Sequence, residues 1–400
     1  MNLGRLTGVA LVLAVVALVS PVVAHAQQPQ PPLVELLPSL VDGAAAADFN
    51  QAIVSQLSTF PLGSSAGGFT FTFDPSVQTF MRTSDSFGPS FAERAMTMGA
   101  GTFNIGATYQ RSTYDRVEGR DLHNGEIRFF VTDTPSPGDV VSADLAVDLT
   151  TDILVWFMSF GLTDRLDVGT MVPFIRVGLD ASVTPTLIRD AAGSIAPGQG
   201  MPLDVVSRTG SASGVGDVVV RTKYNFLKRT GGGLAAVLDV TLPTGDSDNL
   251  LGTGAARGKL LFVASTTVGR VAPHVNAGYT VVGPSANARL ETDDEYHYVA
   301  GIEAEMTDRL TVSLDFIART LTNVGRLRVG ETSVPGQPQG GDSINQLNRE
   351  AGDLNLRTGA FGVKWNVGRT TLLTASVLFP LSDAGLVDNL TWSIGFDWTR

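Results

Sequence analysis

Residues 390–399 read Leu-Thr-Trp-Ser-Ile-Gly-Phe-Asp-Trp-Thr. Trp392, Ile394, Phe396 and Trp398 fall on one face of an extended chain, and Ser393, Gly395, Asp397 and Thr399 on the other. Successive side chains of a strand point to opposite faces, so this is a strand with one apolar face and one small or polar face. The same reading holds upstream. Phe103, Ile105, Ala107 and Tyr109 alternate with Asn104, Gly106, Thr108 and Gln110. Leu145, Val147 and Leu149 alternate with Asp144, Ala146 and Asp148. Val218, Val220, Thr222, Tyr224 and Phe226 alternate with Asp217, Val219, Arg221, Lys223 and Asn225, and Leu234, Ala236, Leu238, Val240 and Leu242 share one face with Asp239 and Thr241 opposite.

A soluble sandwich would show the same alternation. The connections discriminate. Tight turns lie near Thr163-Asp164-Arg165, Lys228 to Gly233, Gly269 to Ala272, Thr307-Asp308-Arg309 and Gly368-Arg369. Between them lie long polar connections near 113–140, 185–214, 243–257, 284–294, 323–353 and 381–388. A membrane barrel has short periplasmic turns and longer external loops. The segments these connections define, near 99–112, 141–162, 166–184, 215–227, 234–242, 257–269, 273–283, 295–306, 310–322, 354–366, 370–380 and 389–399, number about twelve, within a range of 10–14. An even number is what a single-chain bacterial barrel requires. The expected fold is all-β: a transmembrane antiparallel up-and-down barrel over residues 99–400. Pro173 falls inside one strand, and the alternation slips between Phe174 and Val177, which predicts a β-bulge there. The repeat of Thr163-Asp164-Arg165-Leu166 as Thr307-Asp308-Arg309-Leu310 reads as recurrent turn chemistry rather than a duplicated domain.

Composition agrees. The chain is 43% hydrophobic with a mean hydropathy of +0.16, yet its longest apolar run after the N-terminus is Ile153 to Met158, too short to span as a helix. A barrel distributes its apolar residues over alternate positions instead. At the N-terminus, Arg5, the apolar run Val9 to Val19 and Ala24-His25-Ala26 read as a secretory signal, residues 1–26, cleaved before Gln27. There is no cysteine, so this exported chain has no disulfide framework. Removing the signal removes only Arg5 from the charge count. That leaves 27 basic and 39 acidic residues and a formal charge of −12, which argues against nucleic acid as a partner.

Residues 27–98 precede the barrel. A Gln/Pro-rich linker is followed by helical stripes, Leu33, Val34, Leu37, Leu40, Val41 and then Phe49, Ile53, Leu57, and by a Phe69-Phe71-Phe73 strand with a turn at Asp74-Pro75-Ser76 and a return strand over Thr79 to Arg82. A plug in the lumen, a periplasmic collar and an extra hairpin all fit this segment.

Four stretches carry a resemblance: Ser86-Phe87-Gly88 with Phe91-Ala92-Glu93-Arg94-Ala95, Gly161 to Gly169 (GLTDRLDVG), Gly214 to Lys223 (GVGDVVVRTK) and Leu242 to Gly254 (LPTGDSDNLLGTG). In this order along most of the barrel they resemble the outer-membrane "MetA-pathway of phenol degradation" family. The resemblance implies an outer-membrane barrel passing aromatic or other hydrophobic compounds, and it implies no catalytic residues. The ending Trp398-Thr399-Arg400 departs from the terminal aromatic residue usual in such barrels.

Chemistry-bearing residues are sparse. His123, His274 and His297 are the histidines beyond the signal, and no serine-histidine-acid set follows from their positions. Asp246, Asp248 and Asn249, and Asp293, Asp294 and Glu295, lack the spacing of an EF-hand loop and read as solvated loop acid. Gly231-Gly232-Gly233 is a tight turn with no GK[ST] after it. The residues expected to face the lumen with charge are Asp144, Asp148, Asp217, Arg221, Lys223, Asp239, Glu303, Glu305, Asp315 and Arg319. They would hold the barrel's shape by pairing, or select solutes by charge.

The expected function is passive, selective passage of small hydrophobic or aromatic molecules across the cell outer membrane of a bacterium with two membranes. No cofactor, no metal and no catalytic residue is expected. The expected partners are outer-membrane lipid, the barrel assembly machinery and a small-molecule solute. A non-transporting structural or surface-interaction protein, a membrane hydrolase and a soluble secreted all-β binding protein are the competing readings.

Overall fold

The computed structural model describes residues 31–40, 50, 53, 68–74, 79–82, 84, 86–132, 139–189, 200–287, 290, 293–333, 343–368 and 370–400. The expected signal, residues 1–26, lies outside them.

Twelve antiparallel strands close on themselves. They are β1 (Phe103–Tyr114), β2 (Val140–Thr163), β3 (Leu166–Arg189), β4 in two pieces (Val206–Val215 and Val218–Arg229), β5 (Gly232–Leu242), β6 (Arg257–Ser265), β7 (Val271–Val282), β8 (Glu295–Thr307), β9 (Leu310–Ser333), β10 (Ser343–Gly368), β11 (Thr371–Pro380) and β12 (Thr391–Thr399). Each pairs with its neighbour in sequence. The ring closes where β12 meets β1, from Trp392 opposite Arg111 to Thr399 opposite Asn104. Closure leaves no exposed edge, which a backbone in lipid requires. Among the described residues no helix is long and apolar enough to cross a membrane.

Facing follows the alternation. On β12, Trp392, Ile394, Phe396 and Trp398 are exposed on the outside, whereas Thr391, Ser393, Asp397 and Thr399 are buried inside. Tyr109 stacks edge-on against Trp392, and Trp156 against Phe396, so neighbouring strands share an outer aromatic surface. Such a surface is costly in water and favourable in lipid.

Several connections are more ordered than their polarity predicts. The 113–140 stretch contains short strands, including Ile127–Thr132 paired with β2. β3 continues to Arg189 and pairs with Val206–Val215 inside the expected 185–214 loop, and β9 and β10 extend into the expected 323–353 loop. β2, β3 and β9 are 24 residues long and β10 is 26. About ten residues suffice to cross a bilayer, so these four rise well beyond it.

The predicted bulge at Pro173 is found on one edge of β3 only. The β2–β3 register runs straight through Val155 opposite Pro173, with shifts only between Val140 and Val141 and between Gly161 and Thr163. On the other edge of β3 the register shifts by one residue, from Val215 opposite Phe174 to Val219 opposite Met171, so the extra residue belongs to β4, and the Gly216 N–H donates to the Pro173 carbonyl at 2.8 Å. Pro173, which has no N–H to give, sits at that break. The apparent slip has a different cause. Below it most apolar residues of β3 face out, ending with exposed Phe174, while Met171 faces in. Above it they face in: Ile175, Val177, Leu179, Ala181 and Val183 are buried, and Arg176 and Asp180 are exposed. The parity is kept while the chemistry of the two faces exchanges.

Candidate functional site

The interior has two levels. The upper one, toward the long loops, is apolar. Val147, Leu149, Ile153, Val177, Leu179 and Val183 pack there with Leu33, Val34, Leu36 and Leu37 of two short 3-10 turns, Leu33–Glu35 and Leu37–Ser39, and with Leu250 and Leu251 of the 243–256 loop. The Asn50 side-chain amide donates to the Val34 carbonyl at 2.6 Å, and Ile53 joins the cluster. The helical stripe read at Leu33, Val34 and Leu37 thus exists as 3-10 turns. The residues around Phe49 and Leu57 lie outside those described.

The middle level is polar and is entered by residues 86–101. This segment forms an arch that rises from the short-turn end and returns to it. On the way up, the Ser86 hydroxyl donates to Glu303 at 2.9 Å, the Phe87 N–H to Thr311 at 3.0 Å and the Phe91 N–H to Asp315 at 3.0 Å, while Lys364 donates to the Pro89 carbonyl at 2.8 Å. At the top, Asn276 accepts from the Glu93 N–H at 2.7 Å and donates to its carbonyl at 2.9 Å. On the way down, Asn225 donates to the Ala95 carbonyl at 2.8 Å and the Met98 N–H donates to Asp167 at 3.0 Å. The arch has no regular secondary structure of its own, so inward side chains of the wall satisfy its backbone. At its foot, the Phe71–Asp74 and Thr79–Arg82 hairpin pairs as its sequence predicts, and Phe69 packs edge-on against Phe87 over Leu372.

Two charged clusters face the arch. In the first, Arg221 is bidentate to Asp239 (2.5 and 2.7 Å) and also donates to Glu93 at 2.6 Å; Lys223 reaches Glu93 at 3.3 Å and Lys259 reaches Asp239 at 3.0 Å. In the second, Glu295 accepts from Arg257 at 3.2 Å and from Arg319, and it lies 3.4 Å from His297 Nδ1; His297 Nε2 and the Thr280 hydroxyl share a hydrogen bond of 2.7 Å. Apart from Lys259 and His297, which are partly exposed, these carboxylates and cations are almost entirely buried, and burial of such charges is tolerated only because each is paired. Nearer the short turns, His274 lies 3.2 Å from Glu303.

The expected lumen residues divide. Arg221, Lys223, Asp239, Glu303, Asp315 and Arg319 are buried inside, and Glu305 points inward near the rim, 3.9 Å from Arg270. Asp217 is buried as a loop anchor, accepting from the Gly245 N–H (3.0 Å), the Thr253 N–H (2.9 Å) and the Thr253 hydroxyl (3.0 Å). Asp144 and Asp148 face outward, a correction to their expected facing. Asp144 pairs with Arg128 at 2.6 Å, and Asp148, 71% exposed, with His123 at 2.7 Å. They sit on the part of β2 that rises above the membrane, where water lies outside and the apolar cluster inside.

Sequence reading missed Glu93 and Arg94 as lumen residues, and Glu295, Arg257 and Lys259. Glu295 was grouped with Asp293 and Asp294 as loop acid, yet it opens β8 and faces in. The signal for Glu93-Arg94 was a charged pair between small residues in a motif already singled out. A hydroxyl–imidazole–carboxylate line, Thr280–His297–Glu295, does form, although none was foreseen. Its carboxylate is held by two guanidiniums, which makes it part of the lattice. The loop acids bond locally. Asp246 caps the 3-10 turn at Ser247–Asn249, and Asp294 accepts from the Val282 N–H at 2.9 Å and from the Tyr279 hydroxyl. Among the described residues no group of three or more acidic or histidine side chains is placed to hold a metal.

The arch divides the space that remains. One cavity is lined by both charged clusters together with Ile175, Val219, Leu261, Val299 and Ile317. Another is lined by Ser90, Thr108, Ser159, Thr374, Ser376 and Ser393 with Ile153, Val155 and Phe157. Phe91 borders both. A vestibule on the long-loop side shares Ile317 and Arg319 with the first cavity.

Solved structures similar to this chain include an outer membrane channel from Pseudomonas putida F1 (14% identity, 76% of this chain and 98% of that one, TM-score 0.47). Others are a FadL homologue from Pseudomonas aeruginosa (13%, 86% and 96%, TM-score 0.33) and a mutant of TodX described as a monoaromatic hydrocarbon channel (10%, 76% and 90%, TM-score 0.29). No curated protein matches the sequence. Residues 131–324 match the family described as "Putative MetA-pathway of phenol degradation", a span that includes three of the four motifs and leaves out the arch. With its closed barrel and apolar outer band, the chain is an outer-membrane β-barrel whose resemblance to that family holds over residues 131–324.

Proposed function

We propose that the protein is a passive outer-membrane channel for small hydrophobic and aromatic molecules, kept narrow by its own N-terminal segment. The observation that carries this reading is the arch at residues 86–101, bonded into the wall on both limbs, with cavities on either side of Phe91. An eight-strand barrel is filled by its side chains and a sixteen-strand one leaves an open channel. Twelve strands leave room that the arch and the two charged clusters largely take up. The apolar upper level suits a solute that prefers not to remain in water, and the polar cavities below it suit one with a single polar group. Energy input is not part of this reading; the solute follows its gradient.

The test is reconstitution in planar bilayers together with uptake by cells lacking the protein. The intact barrel shows small or rare conductance, deletion of residues 27–98 enlarges it, and uptake of a small aromatic solute falls in the deletion strain. If neither form conducts and no uptake changes, transport is refuted. The tall β2–β3 and β9–β10 hairpins then favour the surface-interaction reading.

A further inference from the structure

We propose that Arg319, with Arg257 and His297 beside it, forms a subsite for the carboxylate of a small amphipathic acid whose apolar body lies against Ile317, Val299 and Phe91. This rests on the channel reading and narrows it from hydrophobic solutes in general to those carrying one acidic group.

Three observations converge. First, Arg319 is nine-tenths buried and gives Nε to Glu295, but its Nη2 has no hydrogen-bond partner among the described residues. An unmet donor on a buried guanidinium is costly, and an incoming oxygen relieves that cost. Second, the charged side chains that line the first cavity cancel: Arg221, Lys259, Arg257 and Arg319 are four cations, and Glu93, Asp239, Glu295 and Asp217 are four carboxylates. The whole chain carries −11, so this neutral interior repels an anion less than the acidic protein around it does. Third, Arg319 and Ile317 line both the vestibule and the first cavity, so a solute entering from the long-loop side meets them at the passage between the two. In the vestibule Arg357 and Asp388 cancel, so its charge is +1 once Arg319 is counted. A planar guanidinium matches a carboxylate in geometry, and the apolar lining beside it matches a ring or short chain.

The experiment uses the full chain in detergent, with benzoate, acetate and benzyl alcohol titrated by calorimetry. Benzoate has the charge and the apolar body, acetate lacks the body, and benzyl alcohol lacks the charge. Benzoate binds saturably, and each of the others binds about tenfold more weakly or worse. Arg319→Gln removes the guanidinium and lowers benzoate affinity about tenfold while leaving benzyl alcohol unchanged. Heat-modifiable migration checks that the barrel is intact. If Arg319→Gln does not fold, Arg319→Lys decides: it keeps a charge for Glu295 but loses the fork, and benzoate affinity falls severalfold. Equal binding of benzoate and benzyl alcohol, or a folded Arg319 variant with unchanged benzoate affinity, overturns the subsite. The channel reading fails separately. If benzoate binds but neither the intact nor the truncated barrel conducts, the subsite stands without transport. If the truncated barrel conducts and benzoate does not bind, transport stands without the subsite.

Discussion

The lower and upper halves of this barrel wall obey the same alternation with opposite chemistry. Low on the wall, Phe396 and Trp398 face out and Asp397 faces in; high on it, Asp148 and Asp180 face out and Val147 and Leu179 face in. Period two says only that a strand has two faces. Which face is apolar depends on what lies beyond each. Low down, lipid is outside, and polar side chains, the arch and the two cavities are inside. Above the membrane, water is outside, and the inside is closed by the Leu33–Ser39 turns and the Leu250-Leu251 loop, so the upper wall folds like a soluble sandwich. The exchange occurs between Phe174 and Val177 on β3, which places the outer edge of the lipid band at that height.

The largest effect tests the lower interior. Arg221→Met leaves Asp239 and Glu93 buried with much of their pairing gone, and breaking a buried ion pair from one side costs about 3–5 kcal/mol. Urea unfolding from lipid vesicles reads it. A change below about 1 kcal/mol would mean that these charges are solvated and that the lumen is open there. Next comes the lower exterior. Phe396→Lys puts a charge on the lipid face and costs about 2–4 kcal/mol if Phe396 lies near the bilayer midplane, less near an interface. An unchanged unfolding midpoint would remove β12 from contact with lipid. The upper interior follows. Leu37 is fully buried, and Leu37→Ala costs about 2 kcal/mol, the low end for such truncations because a short surface-anchored turn can partly close the gap. No loss of stability would show that the upper cluster does not need the N-terminal turns.

Much of the fold was legible because the strongest signals are local. The β12 alternation, the five tight turns and the even count need only neighbouring residues. The inverted facing of Asp144 and Asp148 was not legible, since nothing in Asp-Leu-Ala-Val-Asp states whether lipid or water borders it. The same ambiguity made the exchange of faces between Phe174 and Val177 look like a slip within β3, whereas the extra residue at Pro173 belongs to β4. For the lumen, Arg221, Lys223 and Asp239 could be named from parity alone. Their partner Glu93 could not, because it comes from an irregular segment 128 residues away from Arg221 in the chain. Pairing across that distance is set by the closed barrel, not by any local pattern.

The smallest effect is the sharpest test of the boundary. Asp148 and Asp180 are direct cross-strand partners on the outside of β2 and β3, two like charges opposite each other. In water such a pair is mildly destabilising, and an opposite pair is mildly favourable, each by a few tenths of a kcal/mol up to about 1. Asp180→Lys therefore turns a repulsion into an attraction and stabilises the barrel by about 0.5 kcal/mol, with Asp148 keeping its contact to His123. Because both side chains are exposed, the gain shrinks as salt is raised and is largely gone near 1 M, where the screening length is about 3 Å. If the upper wall were in lipid, the same substitution would have the opposite sign and the larger size of the Phe396→Lys cost, since a lysine would face hydrocarbon. A destabilisation of about 2 kcal/mol or more that salt does not change would place the edge of the lipid band above Asp180 and undo the inversion. A small, salt-sensitive gain leaves the edge between Phe174 and Val177.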